Sequence, residues 1–256
     1  MSSALLDAAR DASARSRVPF SSRPRAVALR HAGGAVTVGV RVESASYPLT
    51  IPALQAAWAI ARANGRGAPT EAAATGAWTP GELAWLDEWS GARWTAEGGL
   101  ARPDPAPSDV PPAHDRLAEL RPRPSTDADG VALALEAAGC AAADVSGFPV
   151  GCALDTDIGV VLGANVEHAA DWTRGLCAER VALASAVAQG AREIRRIWLA
   201  CPQAPAATPC GGCRQQLWEA APDAAVRMWN GDHPPAETTT AALLPGGFDG
   251  RELGAG

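Results

Sequence analysis

Three cysteines and one glutamate carry the chemistry legible in this chain. Cys177-Ala178-Glu179-Arg180 is followed further along by Pro209-Cys210-Gly211-Gly212-Cys213. A catalytic zinc keeps three protein ligands and leaves its fourth tetrahedral position to water, so Cys177, Cys210 and Cys213 fill three corners without closing the site. Three thiolates outweigh the charge of the ion, which makes its water less acidic than a three-histidine site would. A cation close by is therefore expected. Arg180 and Arg214 are the available ones, and Arg180 is the first choice, with its guanidinium donating to ligand sulfurs. Glu179 is not needed for coordination, which frees it to take a proton from water and hand it to a substrate. A closed structural zinc site would need a fourth ligand. His168 and His233 are not spaced to supply one, and Cys140, Cys152 and Cys201 lie in apolar contexts that suit buried, inert thiols.

These side chains need helix ends to hold them. Cys177 to Gln189 runs through Ala178, Val181, Ala182, Leu183 and Val187 without proline, which predicts a helix with the thiol and carboxylate in its first turn. Cys210 and Cys213 open a second helix, Gly212 to Ala220, after a Thr-Pro turn. At such ends the helix dipole favours thiolate. The first half of the chain reads as a worn copy of the second. Val42-Glu43-Ser44-Ala45 mirrors Val166-Glu167-His168-Ala169 at an offset of 124 (166 minus 42). Ala28-Leu29 mirrors Ala153-Leu154 at 125 (153 minus 28), and Thr79-Pro80-Gly81 mirrors Thr208-Pro209-Cys210 at 129 (208 minus 79). A repeat of that length means two homologous domains. The expected division is a first domain over 1–100, a Pro-rich linker over 101–125 with a short helix at His114 to Leu120, and a second domain over 126–256. In each copy a helix, a strand pair and a second helix are expected: Leu5 to Arg15 or Val131 to Ala143, Ala26 to Arg41 or Val150 to Asn165, and Leu54 to Asn64 or Cys177 to Gln189. Strands at Ile197 to Ala200 and Val226 to Trp229 follow in the second copy. The pattern is α/β, with mixed sheets and helices on their faces.

The order of the cysteines and the glutamate is the three-cysteine form of the zinc deaminase signature, and the chain resembles the cytidine deaminase family well beyond it. Ser146 to Leu154 is similar to the family's substrate loop, and Gly163-Ala164-Asn165-Val166-Glu167 to its ribose-binding strand end. Leu243-Leu244-Pro245-Gly246-Gly247-Phe248 resembles its C-terminal closing segment. The resemblance implies two tandem three-layer α/β/α domains and one Zn2+ per chain, in the C-terminal domain. It implies hydrolytic deamination of cytidine and/or deoxycytidine to uridine or deoxyuridine plus ammonia, through a zinc-activated water with Glu179 as proton shuttle. Asn165 and Glu167 would hydrogen-bond the ribose, Phe148 would pack on the pyrimidine with Phe248 as a possible second wall, and the Ala178 backbone would read the base edge. Asp171-Trp172-Thr173-Arg174 departs from the family pattern and is one residue longer, which keeps open an aminopyrimidine nucleoside antibiotic as the substrate.

The first copy lacks the chemistry. Cys-Ala-Glu is replaced by Pro52-Ala53-Leu54, or by Ala53-Leu54-Gln55 in an ungapped alignment, and the second cysteine pair by Gly81 and Ala84. The segment Ala45 to Gln55 resembles the inactive domain of the family's two-domain dimeric branch, with the domain order reversed. Tyr47 is the one tyrosine in the chain. In single-domain tetrameric members its loop reaches a neighbour's active site, so Tyr47 is expected to enter a catalytic pocket of its own or a partner chain. Trp78, Trp85, Trp89 and Trp94 are expected to serve core or inter-domain packing, with Trp85 and Trp89 on one helical face.

Composition narrows the alternatives. The 256 residues carry a net charge of −6 and no basic stripe, which disfavours a nucleic-acid partner. No charged-then-apolar leader or long apolar run suggests export or a membrane, so a cytoplasmic enzyme with reduced thiols is expected. The resemblance implies a homodimer whose four domains imitate a tetramer. A non-catalytic nucleoside-binding or scaffold protein is the remaining reading, natural for the first half alone.

Overall fold

Strand β1 (Ala26–Arg30) shows how the first half is layered. The computed structural model describes residues 2–105, 114–204, 206–231, 235–250 and 253. Side chains alternate across a strand. Ala28 accordingly meets Leu5 and Ala9 of helix α1 (Ser2–Ser13), while Val27 and Leu29 meet Ala53, Leu54 and Ala57 of helix α2 (Ala53–Ala63). The sheet is completed by β2 (Val36–Val40), β3 (Glu71–Ala74), β4 (Arg93–Glu97) and β5 (Leu100–Asp104) in the order β2-β1-β3-β5-β4, with α3 (Pro80–Ser90) between β3 and β4. The second half repeats the plan with α4 (Asp127–Ala138), β6 (Gly151–Thr156), β7 (Gly159–Ala164), α5 (Ala178–Gln189), β8 (Ile194–Ala200), α6 (Gly211–Ala220), β9 (Ala225–Trp229), β10 (Ala236–Thr239) and α7 (Thr240–Leu243). Its sheet runs β10-β9-β8-β6-β7.

The mixed character falls on the second sheet, where β8 and β9 are parallel across α6. In the first sheet the pairings are antiparallel, because the β4–β5 hairpin carries β4 to the edge and returns β5 beside β3. The duplication is otherwise close. Glu43 accepts the amides of Phe20 and Ser21 (both 3.1 Å), as Glu167 accepts those of Val145 and Ser146 (both 2.9 Å). Val42 bridges Arg17 and Ile51, as Val166 bridges Ala142 and Leu176. Gly39 of β2 lies under α2, where an added Cβ would stand 2.1 Å from the Ala57 amide nitrogen; Gly163 of β7 lies likewise under α5, 2.3 Å from that of Ala182. Only glycine admits so close a helix-to-strand approach.

Helices α2 and α5 meet at the junction of the halves and are buried nearly all round, as a helix wedged between layers must be. Their cross-contacts are reciprocal. Gln55 Nε2 donates to the Arg174 carbonyl (2.9 Å), and Arg180 Nη2 donates to the Leu49 carbonyl (2.8 Å). The tryptophans divide as anticipated between core and junction: Trp78 and Trp94 join the first-half core, and Trp85 meets Trp58 at a tilt and His168 edge-on between the halves.

Two expectations about the middle of the chain need correction. Strand β5 extends to Asp104, so the first sheet continues into the stretch expected to be linker. His114 to Leu120 is a single turn and not a helix, because its polar groups serve the first half. His114 N donates to the Asn64 carbonyl (3.0 Å), Leu117 N to Asn64 Oδ1 (3.2 Å), and Asp115 pairs with Arg66. Residues 106–113 of the expected linker lie outside the described residues.

Candidate zinc centre and nucleoside cavity

Cys177 is the N-cap of α5 and Cys210 the N-cap of α6, so both sulfurs sit on the positive ends of helices. The Cys210 sulfur also accepts the Cys213 amide (3.4 Å), which brings the third thiol down one turn of α6. Cys177 and Cys210 sulfurs are 3.8 Å apart, and Cys210 and Cys213 sulfurs 3.4 Å. A tetrahedral zinc with sulfurs at about 2.3 Å needs sulfur–sulfur edges of about 3.8 Å, while a disulfide needs about 2.05 Å. The three side chains therefore fit a zinc ion and exclude a disulfide. They also share protons: hydrogen bonds from Cys177 and Cys213 hold Cys210 far below the usual thiol range, and the same contacts push Cys177 and Cys213 up. A divalent cation is what lets all three ionise together.

Glu179, in the first turn of α5, is 5% exposed and lines the same cavity. Burial pushes its carboxyl up to about 7, the negative charge of Cys210 adds to that, and Arg180 opposes it. A carboxyl near neutrality can both accept and release a proton. Arg180 does not donate to sulfur as expected. Its Nε reaches Gln216 Oε1 (2.6 Å) and its Nη2 the Leu49 carbonyl, groups that would otherwise be buried unpaired between α5, α6 and the first half. Arg214 is likewise spent on carbonyls, those of Pro209 and Leu243, and on the Thr208 hydroxyl.

The cavity, about 340 Å³, opens from these thiols toward Phe148, Asn165, Glu167 and Trp172, with the Ala178 backbone on its wall and Leu199, Cys201 and Met228 as its floor. Asn165 takes the Val150 amide on Oδ1 (2.7 Å) and gives Nδ2 to the Phe148 carbonyl (3.0 Å). Glu167 holds the Val145 and Ser146 amides and the Ser146 hydroxyl; burial alone would raise its pKa, but these hydrogen bonds keep the carboxyl below its ordinary value. Both residues thus fix the loop that carries Phe148, and carboxylate and amide oxygens retain lone pairs for a ligand hydroxyl.

Two anticipated members do not join this cavity. Tyr47 is 83% exposed in a 3-10 turn over α6 and lines no part of it in its own chain. Phe248 is also outside, because its carbonyl is drawn to Gln215 (2.6 Å) on the far side of α6. Cys140 and Cys152 are buried thiols raised by desolvation, as expected; Cys201 is raised too, to about 11, but it forms part of the cavity floor. Trp172 and Cys201 were not anticipated as lining residues. The longer loop was the available signal for Trp172; for Cys201 it was its place just beyond the end of β8, at the carboxyl edge of the sheet.

The first half shows what replaced the chemistry. Pro52 is the N-cap of α2 as Cys177 is of α5, which selects Pro52-Ala53-Leu54 as the counterpart of Cys-Ala-Glu. At α3 the helix cap and its third residue are Thr79 and Glu82, joined in a capping box, so these and not Gly81 and Ala84 stand where Cys210 and Cys213 do. Arg25 engages this helix end, pairing with Glu82 (2.8 Å) and donating to the carbonyls of Thr75 and Ala77.

Fold and site define a zinc-dependent hydrolase. Two family models, both described as the cytidine and deoxycytidylate deaminase zinc-binding region, match residues 124–228 and 1–74. The cytidine deaminase of Sporosarcina psychrophila is 36% identical over 110 residues, covering 42% of this chain and 80% of that protein. That of Halalkalibacterium halodurans is 37% identical over 110 residues, covering 42% and 83%. The crystal structure of cytidine deaminase from Burkholderia pseudomallei aligns with a TM-score of 0.46 at 36% identity, covering 48% of this chain and 99% of that one. The chain belongs to the cytidine deaminase family, in a tandem-domain form.

Proposed function

We propose that the second half deaminates cytidine and/or deoxycytidine to uridine or deoxyuridine and ammonia, and that the first half is a non-catalytic copy. The observation that carries this reading is the buried Glu179 lining one cavity with Cys177 and Cys210, two of three convergent thiols. Cys177, Cys210 and Cys213 would hold a zinc ion, which when bound would supply Lewis-acid activation of the attacking water and of the reacting carbon. Glu179 accepts a proton from the attacking water and delivers it to N3 of the ring, then takes the proton of the new hydroxyl on C4 and delivers it to the departing amine as the C4–N bond breaks. Phe148 walls the pyrimidine, the Ala178 backbone faces its edge, and Asn165 and Glu167 take the sugar hydroxyls. Arg180 acts on Glu179 through its charge and on α6 through Gln216.

The lining supports a nucleoside in preference to a nucleotide. No arginine or histidine is among the described lining residues, and the Glu167 carboxylate would repel a phosphate. The one-metal reading assigns zinc to the second half, since a Pro52, Leu54, Thr79 and Glu82 set offers no thiolate and its one carboxylate is paired with Arg25. Ultraviolet monitoring of cytidine and deoxycytidine, with zinc measured on the same sample, tests the proposal. One zinc per chain and loss of the cytidine absorbance are expected; zinc-loaded protein that leaves both nucleosides unchanged sinks it.

A further inference from the structure

Trp172 is 64% exposed, yet it forms a wall of the cavity on the side of Asn165 and Glu167. It also borders a smaller hollow of about 140 Å³, lined with Asn165, Glu167, Leu176 and Cys177. The indole therefore shares both hollows with Asn165 and Glu167, the groups assigned to the sugar. Its turn is held largely by the other half of the chain. The Arg174 guanidinium pairs with Glu88 of α3 (2.6 Å) and lies 4.9 Å above the Trp85 ring, and the Arg174 carbonyl accepts from Gln55 of α2. Within the turn Arg174 also pairs with Asp171 (3.0 Å), whose carboxylate caps it at the Thr173 amide (3.1 Å). The matching turn of the first half, Tyr47–Leu49, carries an apolar leucine where Arg174 stands.

We propose that Trp172 is a specificity-determining wall for the sugar side of an unphosphorylated pyrimidine nucleoside, and that the non-catalytic half positions it through the clamp on Arg174. The inference rests on the deaminase reading above. A ligand that covers the indole removes apolar surface from water. That gain reaches the affinity only if the turn is already ordered, because ordering it on binding would consume the gain. Glu88, Trp85 and Gln55 provide the order in advance. Glu88 and Trp85 are not among the residues that line the cavity, so they are positioning residues. The effect is uniform binding, which moves KM and leaves kcat in place.

The test uses full-length, zinc-loaded protein and the variants Trp172→Ala, Trp172→Phe, Glu88→Gln and the Trp172→Ala/Glu88→Gln double variant. KM and kcat for cytidine are measured beside the calorimetric Kd for uridine, which reports binding without turnover. Trp172→Ala should raise KM and the uridine Kd ~10-fold with kcat nearly unchanged, equal to about 1.4 kcal/mol of binding. Trp172→Phe should recover most of the loss. Glu88→Gln should raise KM ~3-fold alone and have no further effect once Trp172 is gone, the signature of one residue acting through another. An unchanged KM in Trp172→Ala overturns the wall. A Glu88→Gln effect of equal size in both backgrounds, or one confined to kcat and zinc content, overturns the clamp. Wild-type protein that holds zinc but neither turns over cytidine nor binds uridine overturns the deaminase reading, and the inference with it.

Discussion

Glu179 is held where burial and a neighbouring thiolate both favour its protonated form, and where one arginine leans the other way. A carboxyl so balanced suits a group that must take and return the same proton. Glu179→Gln keeps the shape and removes the exchange; it is expected to lower kcat by about 10³-fold while zinc content stays at the wild-type value. Cys177→Ala should instead lose the metal, and a zinc determination on both variants separates the two roles. These four chemical residues were legible because their spacing sets them on two helix ends. Arg180 was not, since its partners are decided by where the Leu49 carbonyl falls, and that carbonyl comes from the other half of the chain.

At the scale of elements, the helix-to-strand contacts leave no room for a side chain. Gly163→Ala would press a methyl group into the α5 backbone, and we expect a loss of about 3 kcal/mol in denaturant unfolding, with a comparable loss for Gly39→Ala under α2. The first-half sheet carries a pH dependence of its own. His31, at the end of β1, sets Nδ1 against the Gly67 carbonyl (3.0 Å) and Nε2 against the Thr37 hydroxyl (3.1 Å), and burial lowers its pKa to about 4. Unfolded, the ring titrates near 6.5, so between those values the unfolded chain binds the extra proton and stability falls as the pH falls. A loss of about 2 kcal/mol between pH 7 and pH 5 is expected from this residue. A His31→Gln variant should show a flatter profile over that interval, and an unchanged slope would remove His31 as its source. The strand pairs and principal helices could be anticipated from period and turn residues. The β4–β5 hairpin could not, because a short run such as Arg93–Glu97, largely exposed at a sheet edge, has no clear apolar alternation.

At the scale of the whole molecule, the duplication was readable from short segments matched at nearly constant offset, but the true partners of Cys210 and Cys213 were not, since helix caps and not residue names preserve that register. We propose a homodimer carrying four deaminase-like units, with Tyr47 directed to the partner chain now that it stands clear of its own cavity. Sedimentation should give twice the chain mass, and Tyr47→Ala should raise KM for cytidine if the partner receives it; a monomer of wild-type activity excludes this assembly. The reciprocal contacts from Gln55 to Arg174 and from Arg180 to Leu49 have a kinetic meaning. In a pair of separate subunits such an interface would be lost on dilution, at a point set by their dissociation constant. Here one covalent chain supplies both sides, so the local concentration of each half around the other does not change with that of the protein. The clamp on the Trp172–Arg174 turn should therefore survive at any dilution, and its opening should be a first-order event.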